Sequence, residues 1–224
     1  MDTGLKYPLK SHRKSINIPD ESSDLAELMG IIFGDGGINN AWQLVISLNS
    51  ELDKIYSAYV CKLFERLFGS EVASRKRPDQ NTLVIVCSSM NLLDFLALKG
   101  AVRGNKILQG LNIPKWITRN KGFQKAFVRG LVDTDGCLYT QSHVVSGKRY
   151  SNIGFCFSSS SNTLLISVVE ILRRFGVYPH VMLHKNAIYL YSQRAVLKYL
   201  NIFGSSNPRI FNKYQIWRGA RAAD

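Results

Sequence analysis

The sequence predicts an α+β chain built from two pseudo-symmetric halves, each running helix, two strands, helix, two strands, helix. Three observations carry this reading. Helix-like and strand-like segments recur in the same order in both halves of the 224 residues. The helix that opens each half ends on the same pair, Asp35-Gly36 and Asp135-Gly136. A connector bearing Gly, Pro, Lys and Arg separates the copies. The repeat unit is too long for a solenoid, and two such halves pack most simply about a pseudo-twofold axis.

In the first half, Asp24 is the expected N-cap of the run LAELMGIIFG, which ends at Asp35-Gly36-Gly37. Residues 42–48 alternate with period two and read as a strand. Residues 51–68 read as an amphipathic helix capped by Ser50 and closed by Gly69. Strands at residues 71–76 and 82–87 flank the turn-rich Pro78-Asp79-Gln80-Asn81 and lead to a short helix over 90–98. In the second half a helix from about Gly122 runs into Asp135-Gly136. Strands over 137–144 and 150–158 flank a Ser-Gly-Lys-Arg turn, and a helix follows over 162–174. VYPHVMLH and AIYLYS are strand-like, split at Lys185-Asn186, and a last helix over 194–203 stops at Gly204. The expected organisation is an N-terminal extension (1–20), a first half (21–99), a linker (100–121), a second half (122–204) and a basic tail (205–224).

At 46% hydrophobic the chain can bury a core, and 29 Lys and Arg against 16 Asp and Glu give a net charge of +13. That excess favours a polyanionic partner, nucleic acid before anionic membrane. The N-terminus lacks the apolar core of a signal peptide, and no apolar run reaches the roughly 18 residues of a membrane span. Cys61, Cys87, Cys137 and Cys156 are widely spaced, without a CxxC pair or clustered histidines. Reduced thiols in a soluble intracellular protein, cytoplasmic or organellar, are expected in place of a zinc site or a disulfide framework.

The chemistry lies where the first helices end, at LMGIIFGDG and VRGLVDTDG. Gly30 and Gly34, like Gly130 and Thr134, are four apart and share a helical face, so two such helices can approach closely. That seam would bring Asp35 and Asp135 together. Two neighbouring carboxylates repel unless a cation shares them, and beside phosphate the natural cation is Mg²⁺. One Asp-Gly after a helix is an ordinary turn, but the same turn at the same place in both copies points to function.

Both segments resemble the LAGLIDADG motif, over a repeat that spans residues 24–204. The chain is thereby similar to LAGLIDADG homing endonucleases of the monomeric, double-motif type. The resemblance implies that the motif helices form the interface and that two four-stranded antiparallel sheets make a saddle over duplex DNA. It makes Asp35 and Asp135 the catalytic metal-binding residues, with the backbone carbonyls of Gly34 and Thr134 as further metal ligands. Mg²⁺ is the expected cofactor, with Mn²⁺ substituting and Ca²⁺ binding without supporting cleavage. Asp133, where the first motif has Phe33, is expected to be structural, in a capping role, and Met29 and Arg129 replace the motif's alanine on a variable face. Asn49, Gln193 and Arg194 fall near the places where the family orders water around its metals.

Strands lining a groove should carry polar and basic side chains, because phosphates position the protein and base edges specify the sequence. The first half offers Asn39, Asn40, Trp42 and Gln43, then Arg75, Lys76 and Arg77. The second offers Tyr139, Gln141, His143, Lys148, Arg149 and Asn152, then His180, His184 and Lys185. The halves differ at these positions, so a non-palindromic duplex target of roughly 20 base pairs is expected. The resulting expectation is a sequence-specific double-strand DNA endonuclease that hydrolyses phosphodiester bonds with divalent metal. It is expected to be intron-encoded or free-standing, because no splicing segments flank the repeat. The alternative is a related nucleic-acid-binding protein that does not cut, an RNA maturase or a transcription regulator.

Overall fold

A computed structural model describes residues 12–70, 72–78 and 80–222. Most of the expected N-terminal extension lies outside these residues, as do Glu71 and Asp79 of the expected strand and turn and the end of the tail. The first half comprises α1 (Ser23–Gly34), β1 (Gly36–Gly37), β2 (Gln43–Asn49), α2 (Lys54–Phe68), β3 (Ala73–Lys76), β4 (Thr82–Ser88) and α3 (Met90–Leu98). The connector holds two single-turn helices, α4 (Lys106–Gln109) and α5 (Lys115–Thr118). The second half repeats the order with α6 (Lys121–Asp135), β5 (Gly136–Val145), β6 (Lys148–Ser158), α7 (Asn162–Arg174), β7 (His180–Met182), β8 (Ala187–Leu190) and α8 (Gln193–Phe203). The tail forms a further helix, α9 (Pro208–Ala222). The sheets are ordered β1-β2-β4-β3 and β5-β6-β8-β7, with every neighbouring pair antiparallel.

Local chemistry explains the element boundaries. The Ser22 hydroxyl, not Asp24, caps α1 by accepting from the Leu25 N–H at 3.2 Å. Asp24 sits in the first turn and pairs with Arg66 at 3.1 Å. Helix α2 starts at Lys54, later than the amphipathic pattern implies, because the Asn49 carboxamide accepts from the Glu51 and Leu52 N–H groups and closes a turn there. Ser146 and Gly147 both have positive φ (50° and 78°), the signature of the tight primed turn, and they let β5 and β6 pair over their full lengths. VYPHVMLH keeps only three strand residues before a 3₁₀ turn, Leu183–Lys185.

The seam between α1 and α6 organises the molecule. A Cβ on Gly30 would fall onto the Phe127 carbonyl, and one on Gly130 onto the Glu27 carbonyl, so each helix uses glycine where the other's backbone crosses. Phe33 packs edge-on against Phe127, with ring centroids 5.3 Å apart. Arg129, on the face that the motif resemblance marks as variable, instead reaches across the seam to the fully buried Glu27. Glu27 also accepts from the Tyr59 hydroxyl at 2.8 Å. Around the seam, one face of each sheet is buried: Leu44, Ile46 and Leu48 of β2 in the first, Phe155 and Phe157 of β6 in the second. Among the described residues no helix is long and apolar enough to cross a membrane.

Candidate functional site

Asp35 and Asp135 leave the adjoining ends of α1 and α6. The two helix ends touch: the Cβ position of Gly34 lies against the Thr134 hydroxyl and 3.3 Å from Asp135 Oδ2. Both following glycines are sterically required. A Cβ on Gly36 would meet the Ile32 Cα at 2.6 Å, and one on Gly136 the Val132 carbonyl oxygen at 2.6 Å, because each strand folds back over the last helical turn. Burial raises the carboxyl pKa of Asp35 to about 6 against the pull of Lys106. Burial, then the charge of Asp35, raises Asp135 to about 7. The pair is thus close enough to interact, and partial burial pushes both carboxyls above the ordinary carboxylate range.

Lys106, on the first turn of α4, sits over this site. Its ammonium donates to the carbonyls of Phe33 (2.8 Å) and Gly36 (2.9 Å), and to that of Gly34. It thereby satisfies the orphan carbonyls at the end of α1, which has no basic residue in its own last turn. Arg209, on the first turn of α9, is its counterpart at the end of α6: its guanidinium donates to the Asp133 carbonyl at 3.4 Å and lies 3.3 Å from Asp53. Asp133 anchors this second corner. It is buried and accepts from the Ser205 hydroxyl and from the Ser206 and Asn207 N–H groups (2.5, 2.7 and 3.2 Å), which fixes the turn into α9, while the Asn207 side chain caps that helix by accepting from the Arg209 N–H at 3.1 Å. Asn207, fully buried, donates to Asp53 of the first half at 2.7 Å and to the Asp133 carbonyl at 3.1 Å.

A cleft of about 450 Å³ opens beside the acids, lined by Gly34, Asp135, Lys106, Lys185 and the run Ser158 to Ser161. Lys185, read from the sequence as a DNA contact, therefore lies at the acidic site. Gln193 and Arg194 sit exposed at the start of α8, outside that lining, and the Asn49 carboxamide is engaged in its turn. Thr134 directs its hydroxyl back to the Leu131 carbonyl at 2.8 Å. The donors that converge here are hard oxygens, two carboxylates plus helix-end carbonyls, without a cluster of three or more His, Cys, Asp or Glu among the described residues. That set suits Mg²⁺, which is held by one or two carboxylates and completes its shell with water and phosphate.

Register sorts the remaining sequence-predicted residues. On the second sheet, Tyr139, Gln141 and His143 of β5 face the same way as Lys148 and Asn152 of β6 and His180 of β7. Gln141 pairs with Asn152, and His143 stacks on Tyr150 at 5.7 Å. His184 lies exposed in the 3₁₀ turn. The side chain of Arg149 lies outside the described residues. On the first sheet, Arg75 pairs with Val84, and Gln43, Val45, Arg75 and Arg77 line one groove. Lys76, paired with Leu83, alternates in register to the other side of the strand, yet it lines this groove too. Asn40 organises the β1–β2 turn by accepting from the Trp42 and Gln43 N–H groups, and Asn39 is exposed beside it. Trp42 stacks on His12 at 5.7 Å.

Lys106, Asp53, Asn207 and Arg209 were not singled out in the sequence. A signal existed: Asn105-Lys106-Ile107-Leu108 after the first half is echoed by Asn207-Pro208-Arg209-Ile210-Phe211 after the second. The repeat thus extends past the third helix of each half.

Residues 122–214 match the model of a LAGLIDADG-like domain. The replication factor C small subunit of Methanocaldococcus jannaschii is 27% identical over 188 residues, 76% of this chain, and the chain spans only 10% of that protein's length. The structure of I-DmoI in complex with DNA and Mn is similar at a TM-score of 0.53 and 22% identity, covering 82% of this chain and 97% of that one. The I-LtrWI LAGLIDADG homing endonuclease bound to target DNA gives a TM-score of 0.56 at 11% identity, covering 90% and 92%. At these identities the likeness is one of fold.

Proposed function

We propose that this protein, whose residues 122–214 match a LAGLIDADG-like domain and whose fold is similar to those of I-DmoI and I-LtrWI, is a metal-dependent, sequence-specific DNA endonuclease that cuts both strands. The observation that carries this is the apposition of Asp35 and Asp135 at touching helix ends, half-buried, with the charge of one acting on the other and one lysine facing both. A protein that only bound nucleic acid would have no physical use for two such acids in a basic chain. Asp35 and Asp135 would hold the cation, with the carbonyls of Gly34 and Thr134 as further oxygen donors. Mg²⁺, replaceable by Mn²⁺, supplies activated water and stabilises the leaving oxygen when bound. Lys106 offsets part of the carboxylate charge and lets a phosphate enter the cleft that Lys185 flanks. The two exposed sheet faces grip a non-palindromic duplex of roughly 20 base pairs through Arg75, Arg77 and the β5–β6 ladder.

The test starts from duplexes selected from a randomised library in Ca²⁺. Asp35→Asn and Asp135→Asn should bind the selected duplex as well as the unaltered protein does, while cleavage in Mg²⁺ falls by orders of magnitude. Asp133→Asn should retain cleavage wherever it still folds. Double-strand cutting at unaltered rates by both variants would sink the mechanism. One feature favours a second reading, binding without cleavage: the Lys106 ammonium already holds the Gly34 carbonyl. That reading requires the unaltered protein to bind its selected duplex in Mg²⁺ or Mn²⁺ and leave it intact.

A further inference from the structure

Two of the four cysteines meet across a strand pair. Cys137 is the second residue of β5, and the antiparallel register sets it directly opposite Cys156 of β6. Cys156 is in turn opposite Tyr189 of β8. Residues so opposed have Cα atoms about 4.5 or 5.5 Å apart, depending on the pair type, and both lie within the roughly 4.4–6.8 Å that a disulfide spans. The register alone sets the two side chains next to each other on one face of the sheet. Cys137 is exposed and Cys156 half-buried, whereas Cys87 is buried in the first sheet opposite Leu44 and Cys61 stands alone on α2. The pair occupies the sheet face that carries Tyr139, Gln141 and His180. Cys137 also lines a cleft with Arg209 and Lys213, cations that would draw phosphates over it.

We propose that Cys137 and Cys156 form a dithiol oxidised by hydroperoxides, open in the free protein and covered when duplex DNA lies on this face. Only the covering rests on the functional reading above. The sulfur of Cys137 attacks one oxygen of hydrogen peroxide, the O–O bond breaks, and a sulfenic acid and one water form. The sulfur of Cys156 then attacks the sulfenic sulfur, the S–S bond forms, and the hydroxyl leaves with the Cys156 proton as a second water. Two thiols lose two electrons and the peroxide gains them. The reaction needs no movement between halves, because both strands belong to one hairpin.

The test uses the reduced full chain, treated with a small excess of hydrogen peroxide and then alkylated with iodoacetamide under denaturing conditions. The expected protein has lost the mass of two hydrogens, carries alkyl groups on Cys61 and Cys87 only, and yields one peptide pair joined through Cys137 and Cys156. Dithiothreitol should restore all four alkylation sites. In Cys156→Ser the reaction should stop at a sulfenic acid on Cys137, trapped by dimedone. Four alkylated cysteines after peroxide, or a disulfide to Cys61 or Cys87, would overturn the dithiol. Repeating the oxidation with excess duplex at low salt should suppress the disulfide. If it forms as fast with duplex as without, while duplex binding is confirmed by mobility shift, the dithiol stands. The covering is then wrong, and so is the assignment of this sheet face to DNA.

Discussion

Asp133 and Phe33 stand at the same place in the two halves, and this one difference changes what each helix end can hold. Phe33 closes a hydrophobic corner on Phe127. Asp133 is pushed up to about 7 by burial against three donated hydrogen bonds, and it fixes the entry to α9. Asn207 links it to Asp53 in the other half. Asn207→Leu should cost about 1–3 kcal/mol in urea unfolding, because buried acceptors on both aspartates lose their donor. A variant as stable as the parent would show that this link carries no net stability. The metal-free protein should also respond to pH through Asp35, Asp135 and Asp133. Their folded pKa values, about 6 for Asp35 and about 7 for the other two, exceed the ordinary 3.8, so the folded chain keeps protons that the unfolded chain releases. That stability is complete below about pH 4 and is lost as pH rises through 6 and 7. Asp94, held low by hydrogen bonds from Arg103 and Arg13, acts in reverse and is lost only in stronger acid. Thermal melts in EDTA should therefore fall between pH 5 and pH 8, and Mg²⁺ should raise the melting temperature more at pH 8 than at pH 5. A flat EDTA profile would contradict the burial of these three carboxyls.

At the scale of elements, α1 and α6 matter more than any strand. Their crossing leaves no volume for side chains at Gly30 and Gly130. Gly30→Leu should destabilise by about 1–3 kcal/mol or more through overpacking. Gly219→Ala on α9, where nothing lies within 4 Å, should instead be neutral or stabilising by roughly 0.5–1 kcal/mol. Equal effects at the two positions would remove the seam from its central place. Helix α9 belongs to this scale as well. Ile210, Tyr214 and Trp217 recur on one face and are buried, and Trp217 donates to the Ser151 carbonyl at 3.3 Å. The tail is thus a brace on the β5–β6 hairpin, which has no equivalent of its length in the first sheet, where β1 is two residues.

At the scale of the whole molecule, the +13 charge predicts binding that weakens steeply and linearly in log affinity against log salt. Arg75→Ala and Arg77→Ala should each lower the slope by about one unit, since both face the groove of the first sheet. Lys76→Ala should lower it as well, because Lys76 lines the same groove. An unchanged slope in all three variants would place the duplex elsewhere. The two sheets present different side chains, basic and aliphatic on the first, aromatic and amide-bearing on the second, which is the basis for proposing an asymmetric target.

Periodicity and repetition alone determined much of this protein: two like halves, the helices and most strands, the close-packing glycines and the two Asp-Gly turns. Those features are encoded locally, in 3.6- and 2-residue patterns and in residues whose backbone demands are their own. Tertiary structure decided the rest. Lys106 and Arg209 lie in segments that read as linker and tail, yet they return to the ends of α1 and α6. Glu27 and Arg129 become a cross-seam pair, Asp133 anchors the turn into a helix that begins 75 residues downstream in sequence, and Cys137 meets Cys156. Each of these partnerships joins residues far apart in the chain, and whether a charged side chain finds a partner or solvent depends on packing that no local pattern records.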